Sequence, residues 1–545
     1  MTTIDITVFV GYCLLIVFLG FIVSREKKGH KKTAEDYFLA SKALPWWAIG
    51  ASLIASNISA EQFIGMSASG FAMGLAISTY EWMAAATLLV VGIFFLPMFL
   101  KKEIFTMPQF LEKRYDGRVR TVMAVFWLLV YVFVNLTAVL YLGALSIQTV
   151  MGVDFLTAVI GLAAFAMFYS LYGGLKAVAW TDVFQVVVLI AGGLGTTYLA
   201  LSMVGDGNAW EGFSMLRKEV PGHFHMIFSK GQMMIPDGKG GLRDAYELLP
   251  GLSVLFGGMW IANLSYWGCN QYITQRALAA KNIDEARKGV VFAGFLKLLM
   301  PLIVVVPGIA AYLIVQKEGA GGEFTLAMTD SASNLVKSDK AYPALLALLP
   351  SGFKGLAFAA LVAAIVSSLG SMANSVSTIF TMDIYKNFFR KEDSEVSFVK
   401  VGRIVSLIAM IIGVIVAPSL GRLDQAFQFI QEFTGFVSPG VVAIFLVGIF
   451  WKKATPNSAL FGALSSVILS FVFFEYWPSL PFIDRMGLVF LLTVLIMVII
   501  SYMKPAPEKG EEFDIDKSYF KFSGAFISGA LAIIVIIIVL YTVFW

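Results

Sequence analysis

The chain predicts an all-α membrane protein that crosses the bilayer many times, and three observations carry that expectation. Of its 545 residues 58% are hydrophobic and the mean hydropathy is +0.81, whereas ordinary soluble domains run at about 45–50% apolar. Apolar stretches of about 20 residues, each long enough to cross a bilayer as a helix, recur at 3–24, 45–66, 74–100, 121–149, 155–173, 181–204, 248–275, 287–315, 344–382, 401–419, 425–449, 456–475, 480–502 and 522–544. That makes fourteen spans. Third, the second stretch is interrupted by the polar island Ala55-Ser56-Asn57-Ile58-Ser59-Ala60-Glu61-Gln62. Polar groups at that depth need protein, ion or water as partners, so the island marks a helix facing a cavity and broken there.

Taken in order, the first span has no basic segment before it and a basic run over 25–32 after it. It therefore reads as a retained helix, not a cleaved signal. The third opens with Tyr80-Glu81, the seventh carries polar residues over 263–270, the eighth holds Lys297 within FAGFLKLLMPLIVVV, and the ninth has Ser367 and Ser368 within LVAAIVSSLGSM. The eleventh opens with the polar cluster 425–431. Spans two and seven, five apart, each have a polar centre near glycines, as two five-helix halves of inverted topology would. The expected organisation is 1–44 as a first helix and basic loop, 45–247 as one repeat with an outer loop, 248–449 as the second, and 450–545 as three added helices.

Lys and Arg set the orientation. They follow the first and third spans and recur at 276–288, 386–400, 452–453 and 504–521, which puts both termini outside. This asymmetry explains the net charge of +4 and implies no nucleic-acid partner. The longest loop, 205–247, reads as an outer cap or a flexible excursion, and 505–517 as a linker. Cys13 and Cys269 lie in spans, as do the sequons at Asn57, Asn135 and Asn263, so neither a disulfide framework nor glycosylation is expected. With no Walker loop and no metal-spaced His/Cys set, the pattern supports neither an ATP-driven pump nor a redox enzyme.

The polar residues suggest a chemistry. A sodium ion is held by about five or six oxygens, many of them carbonyls of unwound helix. Ala55 and Ile58 offer carbonyls at the break and Ser367 and Ser368 offer hydroxyls, although serines in membrane helices also bond back to their own helix. Glu81 and Lys297 are intramembrane charges, functional by default, with an interfacial or snorkelling position as the alternative. Asn57, Gln62, Asn263 and Gln431 both donate and accept hydrogen bonds, which suits a neutral polyhydroxylated ligand. Tyr266, Trp267, Met66, Tyr80 and Phe427 are placed to close over a sugar ring, or to pack as ordinary aromatic and apolar side chains do.

Six runs in order, ASNISAEQFIGMS, YEWMAA, YGGLKAVAWTDVFQ, ANLSYWGCNQYITQRALAAK, AAIVSSLGSMANSVSTIFTMDIYK and FIQEFTGFVSPG, resemble the sodium:solute symporter family, and within it the sugar-carrying members. The resemblance implies a LeuT-like fold and sodium-driven symport of a monosaccharide across a bacterial inner membrane, with sodium as coupling ion and no organic cofactor. It implies sodium ligands Ala55, Ile58, Ala364, Ser367 and Ser368, and sugar contacts Asn57, Gln62, Glu81, Asn263, Lys297 and Gln431. Tyr266 becomes the inner gate, Met66, Tyr80 and Phe427 the outer cover, and Asp182 part of the sodium exit path. One position departs, for Ala84 stands where a galactose-carrying member has serine. Symport of another small solute (proline, pantothenate, sialic acid, inositol) is the alternative on this fold; a channel or a sensor fits less well, there being neither a continuous polar pore nor an output domain.

Overall fold

A computed structural model of the protein describes residues 1–24, 43–104, 106–236, 241–330, 334–389, 395–422, 426–504 and 517–545, and of 21, 23–24, 169–178, 395–396 and 422 the backbone only. The basic run 25–32, Gln425 and most of the linker (505–516) lie outside them. Helices coincide with all fourteen stretches. Among the described residues ten helices are individually long and apolar enough to cross a membrane, or twelve if each of two sharply bent pairs is one span. The remaining two stretches are the second, divided at its polar island, and the fifth, whose apolar part is the short Phe155–Phe168. The chain is a multi-pass membrane protein.

Burial sorts these helices into layers. The ninth span, Phe353–Phe388, is 94% buried, against 22% for the first and 17% for the last, so the ninth is a central post and the other two turn most of their surface to lipid. Phe353–Thr378 packs along Phe155–Val204, and Ile283–Glu318 packs against Trp46–Asn57, Ser67–Met73 and Thr79–Val90. Where the eighth span crosses the second, a Cβ on Gly308 would stand 2.1 Å from the Ser67 carbonyl oxygen. Only glycine permits that approach, and it sets Lys297 beside the break.

That break is local and sharp. Trp46–Asn57 ends at Ile58 (φ −75°, ψ 85°), and the Ser59 amide turns back to the Asn57 carbonyl at 2.9 Å. The chain resumes as the π-helical turn Glu61–Met66, continues through Ser67–Met73, and stops at Gly74 (φ +71°). A side chain at Gly74 would collide with the His223 backbone, 2.2 Å from its missing Cβ. The seventh span is bent by 78° between Ala245–Phe256 and Gly258–Cys269. It breaks again at Asn270, whose Oδ1 accepts from the Tyr272 amide at 3.2 Å and caps Gln271–Leu278. Spans two and seven thus both unwind beside their polar centres, in the LeuT-like arrangement.

Of the two readings of the loop 205–247, the folded cap is the one found: its described residues hold the helix Ala209–Glu219 and an antiparallel hairpin pairing Met234–Pro236 with Leu242–Asp244. Its His223 ring lies 4.1 Å from that of Tyr312, and Nε2–H donates to the Phe71 carbonyl at 3.2 Å. Several arginines counted as inner-loop charges are structural instead. Arg114 is buried and donates to the carbonyls of Gly448, Trp451 and Ala454, Arg287 is buried against Gly92 and the 519–521 segment, and Arg276 is only 1% exposed.

Candidate functional site

A cavity opens where the unwound part of span two meets spans three, seven, eight and eleven. All six expected sugar contacts, Asn57, Gln62, Glu81, Asn263, Lys297 and Gln431, line it, as do Tyr266, Trp267, Tyr80, Phe427 and Ala84. Met66 is fully buried and stands outside the lining. At the centre the Lys297 ammonium, 1% exposed, donates to Glu81 Oε2 at 2.6 Å and to Asn57 Oδ1, and lies 5.1 Å from the Trp267 ring centroid. A buried charge pair with further hydrogen bonds meets the condition for keeping both ions in hydrocarbon. It leaves the cavity formally neutral at its two strongest charges.

Tyr266 closes the side toward the seventh-span break. Its hydroxyl accepts from Asn57 Nδ2 at 3.0 Å and from the Tyr272 hydroxyl at 2.7 Å. Tyr131 donates to Asn270 Oδ1 at 2.6 Å and accepts from the Gln271 amide at 3.1 Å, so both breaks are tied into one polar seam. Opposite, Tyr80 and Phe427 meet edge to face at 5.2 Å, and the Phe427 Cβ stands 2.9 Å from where a Cβ on Gly65 would be. Several lining atoms, Glu61 Oε1, Gln62 Oε1, Tyr80 Oη, Asn135 Oδ1 and Thr434 Oγ1, have no protein partner among the described residues. Buried polar atoms of this kind need hydrogen-bond partners, and those offered by hydroxyl groups match this lining in type.

Behind the break, span nine approaches span two. The hydroxyl of Ser368 faces the Ser56 carbonyl at 3.5 Å, and Ser367 donates to Asp182 Oδ1 at 2.9 Å. Ala55, Ile58, Ala364, Ser367 and Ser368 are all buried here. Asp182, expected on an exit path, is the hub of a buried network: Ser52 donates to its Oδ2 at 2.7 Å, and the Arg276 guanidinium lies 3.7 Å from the same oxygen while donating to Ser52 at 3.0 Å and Ser371 at 3.0 Å. The Ser368 hydroxyl and the Ser56 carbonyl are hard oxygens of the kind sodium takes, whereas the Asp182 carboxylate is already engaged by Ser52, Ser367 and Arg276. Sequence reasoning gave Ser52, Arg276 and Ser371 no role at the site; the signal available was an arginine ending the uncharged run NQYITQ.

The chain is similar to known proteins in sequence and in fold. Residues 37–466 match the sodium:solute symporter family. A sodium/glucose cotransporter of Vibrio parahaemolyticus is 49% identical over 99% of this chain and 98% of its own length, and the human sodium/myo-inositol cotransporter 2 is 34% identical over 86% of this chain and 69% of its own. Among solved structures, a Na+-coupled sialic acid symporter in a substrate-bound outward-open state superposes with a TM-score of 0.78 at 24% identity, covering 94% of this chain and 100% of that one. The broken second and seventh spans, the cavity between them and these matches lead to one conclusion: the chain belongs to the sodium:solute symporter family.

Proposed function

We propose that the protein carries a neutral monosaccharide of the glucose or galactose type across the bacterial inner membrane together with sodium, by alternating access between its two repeats, 45–247 and 248–449. One observation carries this reading above the others. The last turn of Trp46–Asn57 sets its backbone toward span nine, Ser56 O facing Ser368, while Asn57 and, beyond the break, Gln62 line the cavity. An ion that orders the backbone therefore orders the ligand contacts. In this reading Ala55, Ile58, Ala364, Ser367 and Ser368 hold the sodium and Asp182 relays it inward. Asn57, Gln62, Glu81, Asn263, Lys297 and Gln431 hold the sugar; Tyr266 with Trp267 gates the inner side, and Tyr80, Phe427 and Met66 cover the outer.

Each sodium moved inward gains about 2.3 kcal/mol per 100 mV in addition to its concentration gradient, so no nucleotide is needed. Both termini lie outside in this orientation. The test is uptake of labelled glucose into proteoliposomes with and without an inward sodium gradient, with galactose, myo-inositol and proline as competitors. Sodium-dependent accumulation inhibited by the hexoses and not by proline is expected. Uptake indifferent to sodium, or blocked by proline alone, overturns the reading.

A further inference from the structure

We infer that Arg485 is a positioning residue for the cover of the cavity: through Glu432 it holds the half-helix Ala426–Thr434, and Phe427 and Gln431 with it, over the bound sugar. The inference rests on the reading of the cavity as a monosaccharide site. Span eleven is bent by 45° between Ala426–Thr434 and Ser438–Phe450, so its first half is only nine residues long, too short to hold its place without tertiary contacts. Phe427, Ile430, Gln431 and Thr434, three and four apart, turn one face of it to the cavity. Glu432 stands about 100° round the helix from Gln431 and meets span thirteen, where Arg485 Nη2 donates to its Oε1 at 2.8 Å. The arginine is 5% exposed, and its guanidinium carbon lies 5.3 Å and 5.2 Å from the ring centroids of Phe436 and Phe474. A buried guanidinium set against two rings is fixed in place, so it acts as the anchor and the carboxylate as the tethered end.

The rest of that turn of span thirteen bears on two bends. A Cβ on Gly435, at the bend of span eleven, would stand 2.9 Å from Met486 Sδ, and Met486 itself lines the cavity. A Cβ on Gly258, just after the 78° bend of span seven, would stand 1.9 Å from the Ile483 carbonyl oxygen, and Ser253 before that bend donates to Asp484. Residues 483–486 therefore brace spans seven and eleven at their bends, from a helix that lies outside the two repeats. Bends of this kind absorb the change in angle when a site opens and closes, and a neighbour fixed against both restricts that change. The Glu432 side chain is 33% exposed. Neutralising it removes the tether and leaves the half-helix able to fold.

The experiment measures sodium-driven uptake of labelled glucose into proteoliposomes for the unaltered protein, Glu432→Gln, Arg485→Met, Arg485→Lys and the double variant Glu432→Gln with Arg485→Met. A second readout is the rate at which a water-soluble thiol reagent modifies a cysteine placed in the cavity by Ala84→Cys, with and without each change. Loss of the pair is expected to raise the KM for glucose about three- to tenfold, the range for a charge-assisted bond that is partly exposed. The maximal rate and the sodium half-saturation stay as they are, and modification at position 84 speeds up several-fold. The double variant is no worse than the more severe single one, because one interaction is lost in each, and Arg485→Lys recovers part of the effect. Glu432→Gln carries the test if Arg485→Met does not insert. Penalties that add in the double variant, a fall in maximal rate with KM unchanged, or unaltered kinetics in Glu432→Gln each overturn the inference. Absence of sodium-driven glucose uptake in the unaltered protein instead removes the underlying transport reading. The thiol rates then still decide whether the pair holds the cover, since they need no transport.

Discussion

Lys297 Nζ lies 2.6 Å from Glu81 Oε2, and both side chains are all but inaccessible to solvent. The pair joins span eight to span three across the cavity, and the same ammonium reaches Asn57 at the break of span two. Removing one partner strands the other charge, a loss of about 3–5 kcal/mol for buried pairs. Lys297→Met or Glu81→Gln alone is therefore expected to lower thermal stability and abolish uptake. The double variant should recover much of the stability and none of the uptake. A double variant as unstable as either single one would show that the two charges are not coupled in this way.

The two adjacent serines of span nine have different attachments. Ser367 donates to Asp182, whereas Ser368 faces the Ser56 carbonyl at a distance too long for a strong bond. Ser368→Ala should then remove an ion ligand at little structural cost, abolishing sodium-dependent uptake without shifting the melting temperature. Ser367→Ala should also destabilise, by about 1–3 kcal/mol, because it leaves a buried oxygen of Asp182 short of a donor. Thermal unfolding with and without sodium separates these outcomes; a sodium-induced stabilisation that survives in Ser368→Ala contradicts the ligand role.

Most of the membrane architecture was legible from residue order alone, because hydrocarbon punishes unpaired polar groups so heavily that a polar island inside an apolar stretch has few meanings. The island around Asn57, the charge at Glu81 and the lysine in FAGFLKLLMPLIVVV therefore all pointed into the cavity that the structure shows. Arg276 was not legible in this way. It lies near the end of a span, where a lysine or arginine ordinarily marks the cytoplasmic side, and its burial depends on four spans converging to bring Asp182, Ser52 and Ser371 around it. Asn135 carried only the pattern of a sequon, since its place in the cavity lining is fixed by how span four packs, which no spacing in the chain encodes.

Tyr266 is held by two hydrogen bonds through its hydroxyl and packs on Trp267 and Tyr272 through its ring, at centroid distances of 5.2 and 5.9 Å. Tyr266→Phe keeps the ring and loses only the seam to Asn57 and Tyr272, so coupled accumulation should persist with faster release of preloaded sugar. Tyr266→Ala removes the plug, and accumulation should collapse while the sodium-independent leak rises. Equal accumulation by all three proteins would remove Tyr266 as a gate.

His223 gives the 205–247 cap a pH dependence. Burial against Tyr312 and Phe71 holds its imidazole neutral, with the pKa lowered from 6.5 to about 4. Once undocked, the ring takes up a proton near pH 6.5, while the docked ring resists protonation until about pH 4. The undocked state thus binds more protons in that window, and docking, complete above pH 6.5, weakens progressively as pH falls toward 4. Proteolysis within the 205–247 loop should rise over this range, and His223→Gln, which can still donate to the Phe71 carbonyl without titrating, should flatten the profile. A rise of equal steepness in both proteins would assign the effect to other groups.

Ala84 lies one helical turn after Glu81 on the third span and lines the cavity, so a side-chain atom added there points at the ligand. A serine hydroxyl at this position adds one neutral hydrogen bond, worth a net ~0.5–1.5 kcal/mol, or a several-fold to about tenfold gain in affinity. Because a hydroxyl reaches only one or two ring positions, the gain should fall unequally on epimers. Ala84→Ser is therefore expected to strengthen one of glucose and galactose over the other, whereas Glu81→Ala, which unpairs Lys297, should weaken both. Competition curves of the two hexoses against labelled substrate distinguish these effects. Identical curves for Ala84→Ser and the unaltered protein would mean that position 84 does not touch the sugar, and that selectivity between epimers lies with the side chains at the break of span two.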